Sequence, residues 1–258
     1  PPDTRQADAS SFAVDVRHAI DKLRRHGIKP AMLIVDTMFT SDGIRPGPVN
    51  CLAAAAAVIR EAGGLFVADE VQPGFGRTGR QMWGFQRHDT VPDIVTMGKP
   101  MGNGHPIAGL AVRADIVEEF GKSARYFNTF GGNAVSCAAA VAVLDSLQEE
   151  NLLANAERMG ARLCDRLARI AGENPSIAAV RAAGLLIGVE IKDGAEPDAK
   201  ATARIVNGLR DEGVLISSCG KGHNVLKIRP PLTITGPEID LIGDALEIVL
   251  AREGVGAK

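Results

Sequence analysis

Aromatic side chains are scarce. They make up 4% of the 258 residues, with one Trp and one Tyr. Proteins that bind single-stranded nucleic acid stack bases on aromatic rings, so this composition argues against that class. Excess charge is also missing. The net value of −2 provides no bulk field to draw in nucleic acid or an anionic membrane. No apolar run approaches the roughly 20 residues that cross a bilayer. The longest run of small residues, Ala53 to Ala57, lies in a helix-like segment. Cysteine is sparse: Cys51, Cys137, Cys164 and Cys219 form no C-x-x-C pair and read as reduced core thiols of a cytoplasmic protein. No group of residues has metal-ligand spacing, and there is no Walker-type or G-x-G-x-x-G loop. No signal peptide opens the chain, residue 1 is Pro, and the polar stretch PPDTRQADAS reads as a connector within something longer.

What is present is an ordinary globular composition, 45% hydrophobic and 23% charged, on a chain long enough for one large or two small domains. Apolar spacing predicts a helix over Ser11–Gly27, with Gly27 as its C-cap. Ala31–Val35, ending in Asp36, reads as a buried strand. SDGIRPGP is turn chemistry, and Pro48 then opens a helix running to about Ala62. Strands are expected at Leu65–Val71, Asp93–Met97 and Ile107–Val112. Strands alternating with helices point to a parallel sheet in an α/β layer. The character changes after Asn133. Two long helices, Val135 to about Leu147 and Leu152 to about Ala171, precede an extended run at Gly184–Ile191 and a helix at Ala199–Glu212. Short extended runs at Val214–Ser217 and Asn224–Ile228 and a final helix at Pro237–Ala251 complete a smaller α+β domain. The boundary falls inside or just after the first long helix.

The densest chemical signal is residues 68–79, ADEVQPGFGRTG. An apolar strand delivers two acids at its C-terminal end and runs straight into a Gly-rich loop. In open α/β sheets the ligand crevice lies outside the carboxyl ends of the strands, so Asp69 is aimed at a site. For an isolated Asp-Glu pair the bland reading is turn capping. The second signal is residues 96–104, TMGKPMGNG, again a strand ending in a Gly-rich loop, now with Lys99. A buried unpaired ammonium is costly, but a lysine in such a place can serve covalently as a Schiff base. A lone lysine would otherwise be read as solvent-exposed.

Taken together, ADEVQPGFGRTG and PDIVTMGKPMGNG resemble the lysine region of class-III aminotransferases, which belong to pyridoxal-phosphate (PLP) fold type I. The resemblance continues through residues 127–133, FNTFGGN, and 224–232, NVLKIRPPL, and is weakest between Ala139 and Gly184. It implies an α/β protein with a partial PLP-binding large domain over residues 1–145, a mostly parallel sheet, and a smaller C-terminal α+β domain over 146–258. It also implies pyridoxal 5'-phosphate as cofactor. Asp69 would hold the pyridinium nitrogen, Gln72 would contact the ring-hydroxyl side, and Lys99 would form the Schiff base and shuttle the proton. Thr129 would reach the cofactor phosphate of a neighbouring subunit, which implies a homodimer with shared active sites. The implied reaction moves an amino group from an amine or amino acid to a keto acid.

WGFQ at 83–86 and GNGHP at 102–106 resemble the branch holding mitochondrial alanine–glyoxylate aminotransferase 2 and ethanolamine-phosphate phospho-lyase. The alternative chemistry is therefore elimination of phosphate from a phosphorylated amino alcohol. Relatives that use an arginine for the substrate carboxylate place it a few residues before a Pro-Pro pair. Here Lys227 and Arg229 lie there, and on a strand they share a face. The alternative is that both are solvated strand charges. His105 reads as a structural hydrogen-bonder in the lysine loop, and His88 and His223 belong to no constellation. Where many family members carry Glu-Pro, this chain has Asp36-Thr37. The Gly/Ser phosphate turn and the ring-stacking aromatic of complete relatives are not found in these residues. On its own this stretch is therefore expected to hold PLP poorly and turn over little, and a non-catalytic fragment is a third reading.

Overall fold

The computed structural model describes residues 9–253, which divide into two compact units. One comprises residues up to Thr37, Gly47–Phe75 and Trp83–Glu150. The other comprises Met38–Pro46, Gly76–Met82 and the chain from Asn151 onward. Two short loop segments thus belong with the C-terminal unit, and no composition shift marks them.

The first unit is built on a four-stranded sheet. It contains α1 (Ala9–Arg25), β1 (Met32–Asp36), α2 (Ala53–Glu61), β2 (Leu65–Asp69), β3 (Ile94–Met97), β4 (Gly109–Val112), α3 (Ala114–Ser123) and α4 (Ala134–Glu149). The strand order is β1-β2-β3-β4. β1, β2 and β3 run parallel, and β4 pairs antiparallel with β3. Phe66, Val67 and Ala68 are buried, as a strand flanked on both sides requires. β1 departs from the expected buried strand. Met32 and Ile34 are 56% and 55% exposed, because β1 is the edge of the sheet and only one of its faces is covered. α2 starts at Ala53 rather than Pro48, since residues 48–52 form turns before the alanine run begins. α3 was not foreseen. None of its residues is buried, and Val117 and Phe120 are about half exposed.

The second unit holds α5 (Leu152–Glu173), β5 (Ile177–Ala183), β6 (Leu186–Asp193), β7 (Glu196–Pro197), α6 (Ala199–Asp211), β8 (Ser217–Cys219), β9 (Val225–Ile228) and α7 (Gly236–Arg252). Its antiparallel sheet has the order β5-β6-β9-β8, with β7 beside β6. β5 was not anticipated, because IAAVRAA lacks the β-branched density of a typical strand and forms by pairing with β6. The apolar stripes of α5, α6 and α7 close over this sheet. Leu163, Leu167, Ile187, Ile205, Leu226 and Leu246 form the centre of the core. Side chains cap α6 and α7: Asp198 accepts from the Ala201 amide at 2.8 Å. Thr235 and Glu238 form a capping box in which the Thr235 amide donates to Glu238 at 2.7 Å.

The cysteines are unpaired, with Cys51 and Cys219 buried and Cys164 partly so. Cys137 differs from the expected core thiol. It is exposed on α4, a helix with few buried positions. No helix among the described residues is long and apolar enough to cross a membrane.

Candidate active site at the carboxyl ends of the parallel strands

The parallel register places Asp36, Asp69 and Thr96 side by side at the ends of β1, β2 and β3. Asp69 is half-buried. Its Oδ1 accepts from the Val71 amide at 3.1 Å and from Thr96 Oγ1 at 3.2 Å. Oδ2 accepts from none of the described residues, so the carboxylate is oriented on one side and open on the other.

β3 ends two residues before Lys99. Lys99 begins a short 3-10 turn, Lys99–Gly102, after an extended Gly98. Its side chain is exposed. The chain has already left the sheet at this point, beyond the carboxyl end of β3. Among the described residues the ammonium makes no hydrogen bond or ion pair. The loop is fixed on its far side, where His105 Nε2 lies 2.8 Å from Ser136 Oγ. Asn133 caps α4 by accepting from the Ser136 amide at 2.9 Å and donates to Ser136 Oγ at 2.9 Å. The lysine loop is thereby tied to the start of α4, and His105 has the structural role its Gly/Pro surroundings imply.

Glu70, next to Asp69, points the other way and is fully buried. It accepts from the Gly84 amide at 2.7 Å, the Phe85 amide at 2.8 Å and Thr37 Oγ1 at 3.0 Å. Burial pushes its carboxyl above the usual carboxylate range, against these donors, and Asp36 adds to the push. So Glu70 is the capping residue, and the WGFQ segment supplies the amides it caps. Gly84 has no room for a side chain, since a Cβ there would lie 2.4 Å from Thr37 Oγ1. His88 does sit in a constellation, contrary to the sequence reading. It is fully buried, with Nε2 3.1 Å from the Thr37 carbonyl and Nδ1 3.5 Å from Cys51 Sγ. Burial lowers its pKa to about 4, so the imidazole is neutral. Thr37 therefore links Glu70 to His88, and it occupies the position where Asp36-Thr37 departs from the family pattern. The signal that could have disclosed this was the polar Thr after an apolar strand, but only tertiary contact supplies its partners.

Gln72 is half-buried in the loop after β2, and Thr129 is exposed in the turn after α3. Asn128 shapes that turn, its Oδ1 accepting from the Phe130 and Gly131 amides at 3.1 and 2.8 Å. In the second unit Lys227 and Arg229 prove unlike. Lys227, on β9, is only 9% exposed and is no solvated strand charge, whereas Arg229 lies just past the strand and is exposed.

An open carboxylate at one strand end and an exposed amine in the loop after the neighbouring parallel strand fit a cofactor with a protonated ring nitrogen and an aldehyde. The fold is that of PLP fold type I, which solved structures similar to this chain share. The chain superposes with a TM-score of 0.91 at 41% identity on a phospholyase from Arthrobacter in complex with phosphoethanolamine, covering 94% of this chain and 58% of that one. A Bacillus anthracis aminotransferase follows with TM-score 0.88 and 31% identity over 97% and 59% of the two chains. Residues 4–250 match the family described as aminotransferase class-III, and the chain belongs to that PLP-dependent family. Among curated relatives, ethanolamine-phosphate phospho-lyase homolog 1 of Caenorhabditis elegans is 35% identical over 96% of this chain and 54% of its own length. Alanine–glyoxylate aminotransferase 2 homolog 2, mitochondrial, of Arabidopsis thaliana is 40% identical over 78% and 42%. The chain thus spans about half the length of the relatives it matches.

Proposed function

We propose that the protein carrying this chain is a PLP-dependent aminotransferase that moves an amino group from an amine or amino acid to a keto acid, with Lys99 as the residue that binds the cofactor covalently. The observation that supports this most is an open Asp69 carboxylate at the end of β2 together with an exposed Lys99 amine in the loop that follows the neighbouring β3. Bound PLP would supply an electron sink for a carbanion at the substrate carbon. Asp69 Oδ2 would hold the ring nitrogen protonated while Thr96 and the Val71 amide keep the carboxylate aligned. Lys99 Nζ would move the proton, and Gln72 would meet the ring-hydroxyl side. Thr129 would reach the cofactor phosphate across a homodimer interface, and Arg229 or Lys227 would receive the substrate's anionic group.

Phospho-lyase chemistry on a phosphorylated amino alcohol is the second reading. It is favoured by the likeness to a phospholyase and shares every residue role up to proton removal. Cytoplasmic placement rests on the unpaired cysteines alone.

Borohydride reduction of the cofactor-loaded full-length protein, followed by peptide mapping, is expected to find the label on Lys99. A label on Lys122 or Lys227 would overturn the assignment. Keto-acid-dependent amine transfer, as against phosphate release, then separates the two reactions.

A further inference from the structure

The second unit contains a buried guanidinium that the functional reading does not use. Arg77, in the GRTG segment, is only partly exposed. Its Nη1 donates to the Pro230 carbonyl at 2.5 Å and to the Leu185 carbonyl at 3.4 Å. The Leu185 amide donates back to the Arg77 carbonyl at 3.0 Å. Among the described residues Arg77 meets no carboxylate. A guanidinium desolvated against carbonyl oxygens keeps its full positive charge with no anion beside it, which is costly to bury.

The surroundings are cationic. Burial, with repulsion from Arg229 added to it, draws the Arg77 pKa down to about 10. Lys227, Arg181 and Arg229 all act on the buried Cys219 thiol. Arg181 is neutralised by Glu190 at 2.5 Å. Arg77 is not, and so adds an uncompensated positive charge beside Arg229.

Arg77 also controls the backbone that carries Arg229. Arg229 precedes Pro230, which confines it to extended conformations, and Pro230-Pro231 fix their own φ angles. The Arg77 guanidinium holds the Pro230 carbonyl, while Asn155 donates to the Leu232 and Ile234 carbonyls at 2.7 and 3.0 Å just beyond it. The 76–79 segment cannot drift, because it lies flat on Gly184. A Cβ at Gly184 would come within 2.5 Å of the Thr78 carbonyl carbon and 2.6 Å of the Gly79 nitrogen.

We infer that Arg77 is a positioning and specificity-determining residue for an oxyanion-bearing substrate, clamping Pro230 so that Arg229 projects in one direction and adding its own charge to the field there. This rests on the proposal that Arg229 or Lys227 receives the substrate's anionic group.

The test compares two amines on the cofactor-loaded full-length protein, phosphoethanolamine, which carries an oxyanion, and n-propylamine, which does not. Arg77→Gln is expected to raise KM for phosphoethanolamine roughly tenfold or more, the scale of one charge-assisted hydrogen bond, with kcat and the propylamine KM moving far less. The affinity for inorganic phosphate, read by calorimetry, should fall in parallel. Arg77→Lys, which keeps the charge, should recover part of both losses and covers the case in which Arg77→Gln does not fold. Equal KM changes for the two amines, or lowered thermal stability with no change in phosphate affinity, would overturn the inference. Arg229→Gln and Lys227→Gln run alongside. If neither changes the phosphoethanolamine KM, the anion-site reading fails and this inference falls with it. If either raises that KM while Arg77→Gln does not, only the role of Arg77 is lost.

Discussion

Asp69 and Glu70 are adjacent acids with opposite environments, and the strand's alternation separates them. Asp69 leaves one oxygen open at the carboxyl end of the strands, while Glu70 turns inward onto Gly84, Phe85 and Thr37. Sequence pattern identified Asp69 as the residue aimed at the site, but the partners of Glu70 lie 14, 15 and 33 residues away, beyond any local motif. His88 belongs to the same buried group and carries a pH consequence. Its native pKa of about 4 lies below the ordinary 6.5, so the unfolded chain takes up a proton before the folded one does. The stability His88 contributes is present above pH 6.5 and is lost as pH falls from there through about 4. The full effect is on the order of 3 kcal/mol. Urea midpoints should therefore drop between about pH 7 and about pH 4.5, and His88→Gln should flatten part of that decline. An unchanged slope in the variant would show that other groups govern the acid response.

At the scale of elements, helices with clear apolar stripes were the most legible. α5, α6 and α7 lie within two residues of their expected bounds because their apolar spacing is strongly helical. β5 was missed because its alanines state no preference until β6 pairs with them, and β4 proved antiparallel because its direction is set by chain return, not by composition. The α5 contact with the β5–β6 turn is a close backbone approach. A Cβ on Gly160 would stand 2.3 Å from the Gly184 carbonyl oxygen, which does not yield as a flexible side chain would. Gly160→Ala should therefore destabilise by about 1–3 kcal/mol through overpacking, seen as a lowered thermal midpoint. A midpoint equal to the parent's would mean that the turn can move aside.

At the scale of the whole molecule, the first unit exposes apolar side chains that a soluble surface does not ordinarily gather. Phe127 and Phe130 are 83% and 81% exposed, with Val135 at 70%, Val141 at 54% and Leu144 at 47% along α4. A second copy covering this stretch is the proposed arrangement that would bring Thr129 to a neighbouring cofactor. The full-length protein should sediment as a dimer at micromolar concentration, and Leu144→Glu should shift it towards monomer. A monomeric parent would contradict the shared-site proposal. By itself the sequence determined the family, the α/β class, the strand ends bearing Asp69 and Lys99, and the helices of the second unit. These are written in local periodicity and in motifs whose residues are neighbours along the chain. Only the tertiary structure decided that Thr37 joins Glu70 to His88, that Arg77 grips Pro230, that Lys227 is buried while Arg229 is exposed, and that segments 38–46 and 76–82 belong with the C-terminal unit. Each of these depends on contacts between residues far apart along the chain, and burial and partner choice are properties of packing rather than of residue type.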